Sequence, residues 1–154
     1  EMVDIGFNYR ITDFQCALGS NQLKKLKKFL NRRREIALKY DIALRKKISR
    51  IVLPKCAKDI NHGYHLYPVL VDFDNYKINK VSFFKKMYKV GINLQVHYIP
   101  LHFQPFFIKN YGYKRGDFPN AEQFYKKEIS LPIYPDLTNK ELSFVIDSIN
   151  RFLI

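Results

Sequence analysis

Two short stretches hold side chains whose types and spacing could do chemistry. The first is Gly6-Phe7-Asn8-Tyr9-Arg10, where an amide and a guanidinium stand two residues apart beside aromatic side chains. Asn tolerates left-handed backbone, so Asn8 can be a turn residue, or it can offer a donor to an anion with Arg10 near it. The second is Gln95-Val96-His97-Tyr98-Ile99-Pro100-Leu101-His102. It puts an imidazole on the polar side of an alternating stretch, then a proline-stiffened turn, then a second imidazole. Polar groups where strands give way to loops commonly form ligand edges. A histidine in such a place can equally be bonded into the fold, and spacing alone leaves both readings open.

Other chemistries find little support. The six glycines make no G-x-G and no phosphate loop. His97 and His102 straddle Pro100, a poor geometry for one metal, so no metal site is expected. Cys16 falls in a helical pattern, and neither it nor Cys56 has a base beside it in sequence, so no thiol nucleophile is expected. Acidic residues are sparse and form no catalytic pair.

The net charge of +13 raises the question of nucleic acid. Between Lys24 and Arg50 stand twelve basic residues against Glu35 and Asp41, which leaves +10 in that segment. Its charges cover several helical faces instead of one stripe, so a solvated charge run is the favoured reading. Length and an apolar fraction of 47% fit one domain with a real core. No apolar run is long enough to cross a membrane, no secretory leader is recognised, and two cysteines make no disulfide framework. A cytoplasmic protein is therefore expected.

The elements that must position these groups follow from periodicity. Thr12-x-x-Gln15 is a capping box, and apolar residues from Phe14 through Leu18, Leu23, Leu26 and Leu30 continue into Ile36, Ala37, Tyr40, Ala43 and Leu44. Residues 13–47 thus read as one very long helix, or two joined near Lys28 to Asn31. Gly19 inside it costs about 1 kcal/mol relative to Ala, which a close packing contact would explain. Val52–Pro54 and His65–Phe73 read as strands, with Pro68 marking an edge or a strand start. Residues 79–90 read as a helix with Val81, Phe84, Met87 and Tyr88 inward, stopped by Gly91. Residues 92–98 alternate cleanly and read as a strand with Ile92, Leu94, Val96 and Tyr98 on one face. The chain after Pro100 reads as loop, then a short helix at 121–127, an extended Ser130–Leu137, and a closing helix opened by the Thr138-x-x-Glu141 capping box. The sum is an α+β fold in which a long N-terminal helix precedes a small sheet covered by helices. One domain over 1–154 is expected, with 1–50 as an interface loop and helical segment and 51–154 as an α/β unit.

Taken together, the segments resemble one family. Gly6-Phe7-Asn8-Tyr9-Arg10, Thr12-Asp13, Ala17-Leu18-Gly19 and Gln22-Leu23 are similar to the G-x-N-x-R…D…A…QL signature of the DegT/StrS sugar aminotransferases. Arg33-Arg34-Glu35-Ile36-Ala37-x-x-Tyr40 resembles the family's R-R-x-I-A-x-x-Y helix. His65-Leu66-Tyr67-Pro68 resembles its H-x-Y/F strand, and Gly91-Ile92…His97-Tyr98-x-Pro100-x-His102 its G-I…H-Y-x-P-x-H segment. Ala121-Glu122 and Ser130-Leu131-Pro132 fit as well.

The resemblance implies the small C-terminal domain of a fold-type I aminotransferase. It implies pyridoxal phosphate as cofactor, a nucleotide-linked keto sugar as substrate, glutamate as amino donor, and a dimer. Within the family the nearest likeness is to transaminases acting at C4 of UDP-4-keto-6-deoxy sugars for surface glycans. Asn8 would reach the cofactor phosphate of a neighbouring subunit, and Arg10, His97, Tyr98 and His102 would contact substrate. The resemblance covers only the family's C-terminal part. The Schiff-base lysine and the ring-binding groups of the family have no counterpart among the nineteen lysines and other residues here. The chain alone is therefore expected to be inactive and not to hold the cofactor stably. A non-catalytic sugar-nucleotide-binding remnant is the alternative, and a basic nucleic-acid-binding module ranks below it.

Overall fold

The computed structural model describes residues 3–7, 9–57 and 59–154. Residues Asp13–Lys47 form a single helix, α1, without a break near Lys28. The Thr12 capping box forms as the sequence predicts: the Gln15 amide donates to Thr12 Oγ1 at 3.3 Å, and the Thr12 amide donates to Gln15 Oε1 at 2.9 Å. Arg45, Lys46 and Lys47 occupy the last turn, where they oppose the negative end of the helix dipole.

The two halves of α1 differ. Ile36, Ala37, Tyr40 and Leu44 are buried. Phe14, by contrast, is 80% exposed, and Leu18, Leu23 and Leu26 are exposed with it. At Gly19 an added Cβ would meet no atom within 4 Å. The close contact expected there is therefore not made by this chain.

The sheet has three antiparallel strands in the order β1 (Ile51–Val52), β2 (Tyr67–Val71), β3 (Glu128–Leu131). In β2, Tyr67, Val69 and Val71 are buried and alternate with half-buried residues, as their period of two predicts. Strand β1 pairs only with Leu70 and Val71, so the ladder on that side stops short of Pro68, which stands near the start of β2. Helix α2 (Lys80–Lys89) is capped by Asn79, whose Oδ1 accepts the Val81 amide at 2.8 Å. Its buried residues are Phe83 and Met87. Val81 is 60% and Tyr88 72% exposed, which corrects the expected inward face. Two apolar stripes share Met87, and the helix buries the one that runs Phe83–Met87, with Phe84 half-buried beside it.

A single 3₁₀ turn (Leu101–Phe103) and helix α3 (Pro105–Tyr111) lie where loop was expected. Pro105 sits at the first turn of α3, and Gly112 closes it at φ 70°. Helix α4 (Pro119–Lys127) runs straight into β3. Helix α5 (Asn139–Leu153) packs on α1 and α2, and buries Leu142, Val145, Ile146, Ile149 and Leu153 against them. The segment 92–98 is not a full strand. Ile92 and Leu94 are buried, but the only ladder contact is a bridge from Gln95 to Ser130, and Tyr98 is 74% exposed. A buried Ile-x-Leu pair gives half of a strand pattern, and Pro100 ends it before the rest can pair.

Among the described residues no helix is long and apolar enough to cross a membrane. The fold is α+β, with a small sheet and five α-helices among the described residues.

Candidate functional site

The chemistry converges on the edge of β3. Glu128 and Ser130 are two residues apart in that strand, so their side chains share a face. The 92–98 segment is pinned alongside: the Ser130 amide donates to the Gln95 carbonyl at 2.8 Å, and the Gln95 amide donates back at 3.3 Å. That pairing delivers His97 to the carboxylate. The His97 backbone amide donates to Glu128 Oε2 at 3.1 Å, the Ser130 hydroxyl donates to Glu128 Oε1 at 2.6 Å, and His97 Nδ1 lies 2.8 Å from Ser130 Oγ. Glu128 is fully buried and Ser130 nearly so. Both carboxylate oxygens thus find donors, as a buried charge requires. His97 is half-buried, and its ring meets Tyr98 edge-on at 4.7 Å between centroids.

Next to this network, Lys80 lies under the aromatic rings of Tyr125 and Phe84, with its Nζ 5.1 and 5.9 Å from their centroids. The ammonium donates to the backbone carbonyls of Tyr125 and Glu128 at 2.7 and 2.6 Å. Burial lowers its pKa, against the opposing field of the Glu128 carboxylate. A mostly apolar cavity lies beside it, lined by Phe73, Asp74, Val96 and Tyr125 among others. Asp74 also pairs with Lys126 at 2.6 Å.

The remaining expected site residues are placed differently. His102 is buried, its ring packs against Phe103 and Phe118, and its Nε2 lies 3.0 Å from Glu122 Oε1. The same oxygen accepts the Gly116 amide at 2.7 Å, and these contacts hold Glu122 below the usual carboxylate range, the Gly116 bond contributing most. Arg10 is exposed before the start of α1. Asn8 lies outside the described residues. At 1.5 Å per residue, Arg10 stands on the order of 25 Å along α1 from Phe29, where packing against the rest of the chain begins. The structure therefore brings His97 and Tyr98 together at one edge, turns His102 inward, and leaves Arg10 at the far end of the helix.

Sequence reasoning missed Glu128, Ser130 and Lys80. Glu128 falls where helix gives way to strand, so no periodic pattern marks it, and its partner His97 is distant in sequence. The basic run resolves into structure as well. Arg33 Nη1 donates to the carbonyls of Tyr64, His65 and Ile133, Arg34 to His62, and Arg32 to Leu137. Lys39 bonds Glu35 and Asn139, Lys47 pairs with Asp147, and Arg50 bonds Asn75. Six of the twelve basic residues between 24 and 50 are thus engaged within the fold, which removes them from any nucleic-acid stripe.

A pyridoxal-phosphate cradle needs an imine-forming amine in reach of groups that hold the ring and the phosphate. Lys80 is the lysine whose pKa burial lowers, but its donors are committed to two carbonyls and its nearby acid, Asp74, to Lys126. The described residues alone do not fit the group.

Comparison with known proteins places the chain. Residues 1–150 match the model of the DegT/DnrJ/EryC1/StrS aminotransferase family. The chain is 38% identical over 155 residues to the UDP-4-amino-4,6-dideoxy-N-acetyl-beta-L-altrosamine transaminase of Campylobacter jejuni, covering 99% of this chain and 40% of that protein. It superposes on PseC of Helicobacter pylori, an aminotransferase of pseudoaminic acid biosynthesis, with a TM-score of 0.86 at 29% identity, over 99% of this chain and 40% of that one. On the PLP form of the sugar aminotransferase Spr1654 of Streptococcus pneumoniae the TM-score is 0.87 at 26% identity, over 99% and 38%. The chain thus spans about two fifths of the length of the relatives it matches. Members of this family use pyridoxal phosphate, and the chain belongs to the DegT/DnrJ/EryC1/StrS aminotransferase family.

Proposed function

We propose that these residues form the C-terminal part of a nucleotide-sugar aminotransferase, which moves an amino group from glutamate to a UDP-linked 4-keto-6-deoxy sugar in surface-glycan synthesis. Residues 1–50 serve as the interface segment and 51–154 as the small domain. Pyridoxal phosphate, held by the cofactor part of the enzyme, would supply the reactive carbonyl and the electron sink. This chain contributes the walls: His97 and Tyr98 face the sugar nucleotide, while Asn8 and Arg10 extend toward the phosphate groups of a neighbouring subunit's site. Because the described lysines and acids do not fit the cofactor, the chain alone is inactive.

The observation that carries this reading is the uncovered segment that leads into α1 together with the helix's first half. Ile5, Phe7, Ile11, Phe14, Leu18 and Leu23 are all exposed on a segment that a globular chain of this size would otherwise bury. In a family whose members are two and a half times as long, a cofactor domain and a second subunit are the partners of fitting chemistry. The test is co-expression with the cofactor domain of a family member, followed by an assay for glutamate-dependent amination of a UDP-4-keto-6-deoxy sugar. Product formation that is lost on His97→Ala supports the reading. A folded complex that makes no product refutes it.

A further inference from the structure

The network at β3 fixes where the protons lie. A carboxylate only accepts hydrogen bonds, and a serine hydroxyl has one hydrogen to give. With Ser130 Oγ 2.6 Å from Glu128 Oε1, that hydrogen is committed to the carboxylate. Ser130 then faces His97 Nδ1, 2.8 Å away, with lone pairs only, so the proton on that bond must come from the imidazole. Glu128 Oε2 accepts the His97 backbone amide at 3.1 Å, so one buried carboxylate holds the main chain of His97 directly and its ring through Ser130. His97 Nε2 has no hydrogen-bond partner among the described residues. Among the described residues the one buried side-chain polar atom without a partner is Tyr76 Oη, so Nε2 opens to solvent beside the exposed Tyr98 ring.

We propose that Glu128 and Ser130 are positioning residues that hold neutral His97 as its Nδ1–H tautomer, and so present Nε2 outward as a hydrogen-bond acceptor. Resting on the reading that His97 faces the sugar nucleotide, this selects a hydroxyl or amide N–H of the sugar as its contact and not an oxygen of the diphosphate, which can only accept. A purely structural role for the pair would not require this polarity, because an apolar pair of similar volume would fill the same space without a charge to satisfy.

The test is the tautomer itself, read from two-bond ¹H–¹⁵N correlations of the ¹⁵N-histidine-labelled chain at a pH where the ring is neutral, with His97→Gln giving the assignment. The expected result is protonated Nδ1 and bare Nε2 at His97, the reverse of the free histidine side chain's preference. Ser130→Ala should return the ring to Nε2–H, and Ser130→Thr, which keeps the hydroxyl, should preserve Nδ1–H. A wild-type ring carrying its proton on Nε2 overturns the proposal without recourse to any variant, as does a tautomer unchanged in folded Ser130→Ala. Addition of UDP-N-acetylglucosamine to the complex with the cofactor domain separates the two claims. A ligand that binds without moving the Nε2 resonance refutes the placement of His97 at the substrate while the tautomer assignment stands.

Discussion

Replacing Arg33 by alanine should destabilise the fold more than any other single change in the basic run. Its Nη1 donates to the carbonyls of Tyr64, His65 and Ile133 at 3.0, 3.2 and 2.9 Å, and so ties α1 to the chain just before β2 and just after β3. One nitrogen has two hydrogens, so these are two full bonds with one shared. Hydrogen bonds to a charged donor contribute about 1.5–3 kcal/mol each when buried, and the lower end applies to a half-buried group. Truncation also strips two part-buried carbonyls of their donor, which brings the expected loss to about 3 kcal/mol. For a domain of this size that lowers Tm by roughly 6–12 °C. Arg34→Ala is the control, since its bonds to His62 and Asn61 are exposed and one is long, at 3.4 Å. It should cost under about 1 kcal/mol. The assay is thermal and urea unfolding followed by far-UV circular dichroism. A Tm for Arg33→Ala within about 2 °C of wild type, or a larger loss for Arg34→Ala, would refute the clamp.

Three further outcomes are expected. Phe83→Ala should cost about 3–5 kcal/mol and Val81→Ala almost nothing, and a reversed order in urea unfolding would mean that α2 buries its other face. Acid should unfold the chain progressively. Glu35 is held down to about 2 by Lys39 and then Arg32, and Glu122 and Glu141 lie below the usual carboxylate range, chiefly through the backbone amides of Gly116 and Thr138. A folded pKa below the unfolded one gives stability that is complete above the unfolded value and lost as pH falls through the folded one. Tm should therefore drop between about pH 5 and pH 2, and a flat profile there would contradict these contacts. Finally, the exposed apolar residues of α1 should make the isolated chain self-associate in light scattering, and a Phe14→Glu, Leu18→Glu double variant should shift it toward monomer. A wild-type chain that is monomeric at high concentration would count against the uncovered face.

Much of the fold is legible from local signals. Both capping boxes form, the period-two pattern of 67–73 is buried as written, and the closing helix begins where the Thr138 box predicts. What local signals could not reach is what depends on tertiary choice. Two apolar stripes compete in α2, and tertiary packing, in which the Phe83 ring meets Phe73 at 5.6 Å between centroids, decides for Phe83. The alternation in 92–98 promises a strand, but a strand needs a partner of equal length, and β3 offers one bridge at Ser130. The site follows the same rule. His97 is visible in sequence as a polar residue at a strand end, whereas Glu128 and Ser130 acquire meaning only when β3 is laid beside it. The motif Arg33-Arg34 is conspicuous as charge, but its role as a donor to backbone carbonyls appears only in three dimensions.

The central claim is that this chain supplies walls of an aminotransferase site but not its reacting amine. Its most direct test is the intact mass of the purified chain after incubation with pyridoxal phosphate and reduction with borohydride. Low-level adducts scattered over surface lysines are the result the account predicts. A single stoichiometric pyridoxyl adduct on one lysine, Lys80 above all, would contradict it.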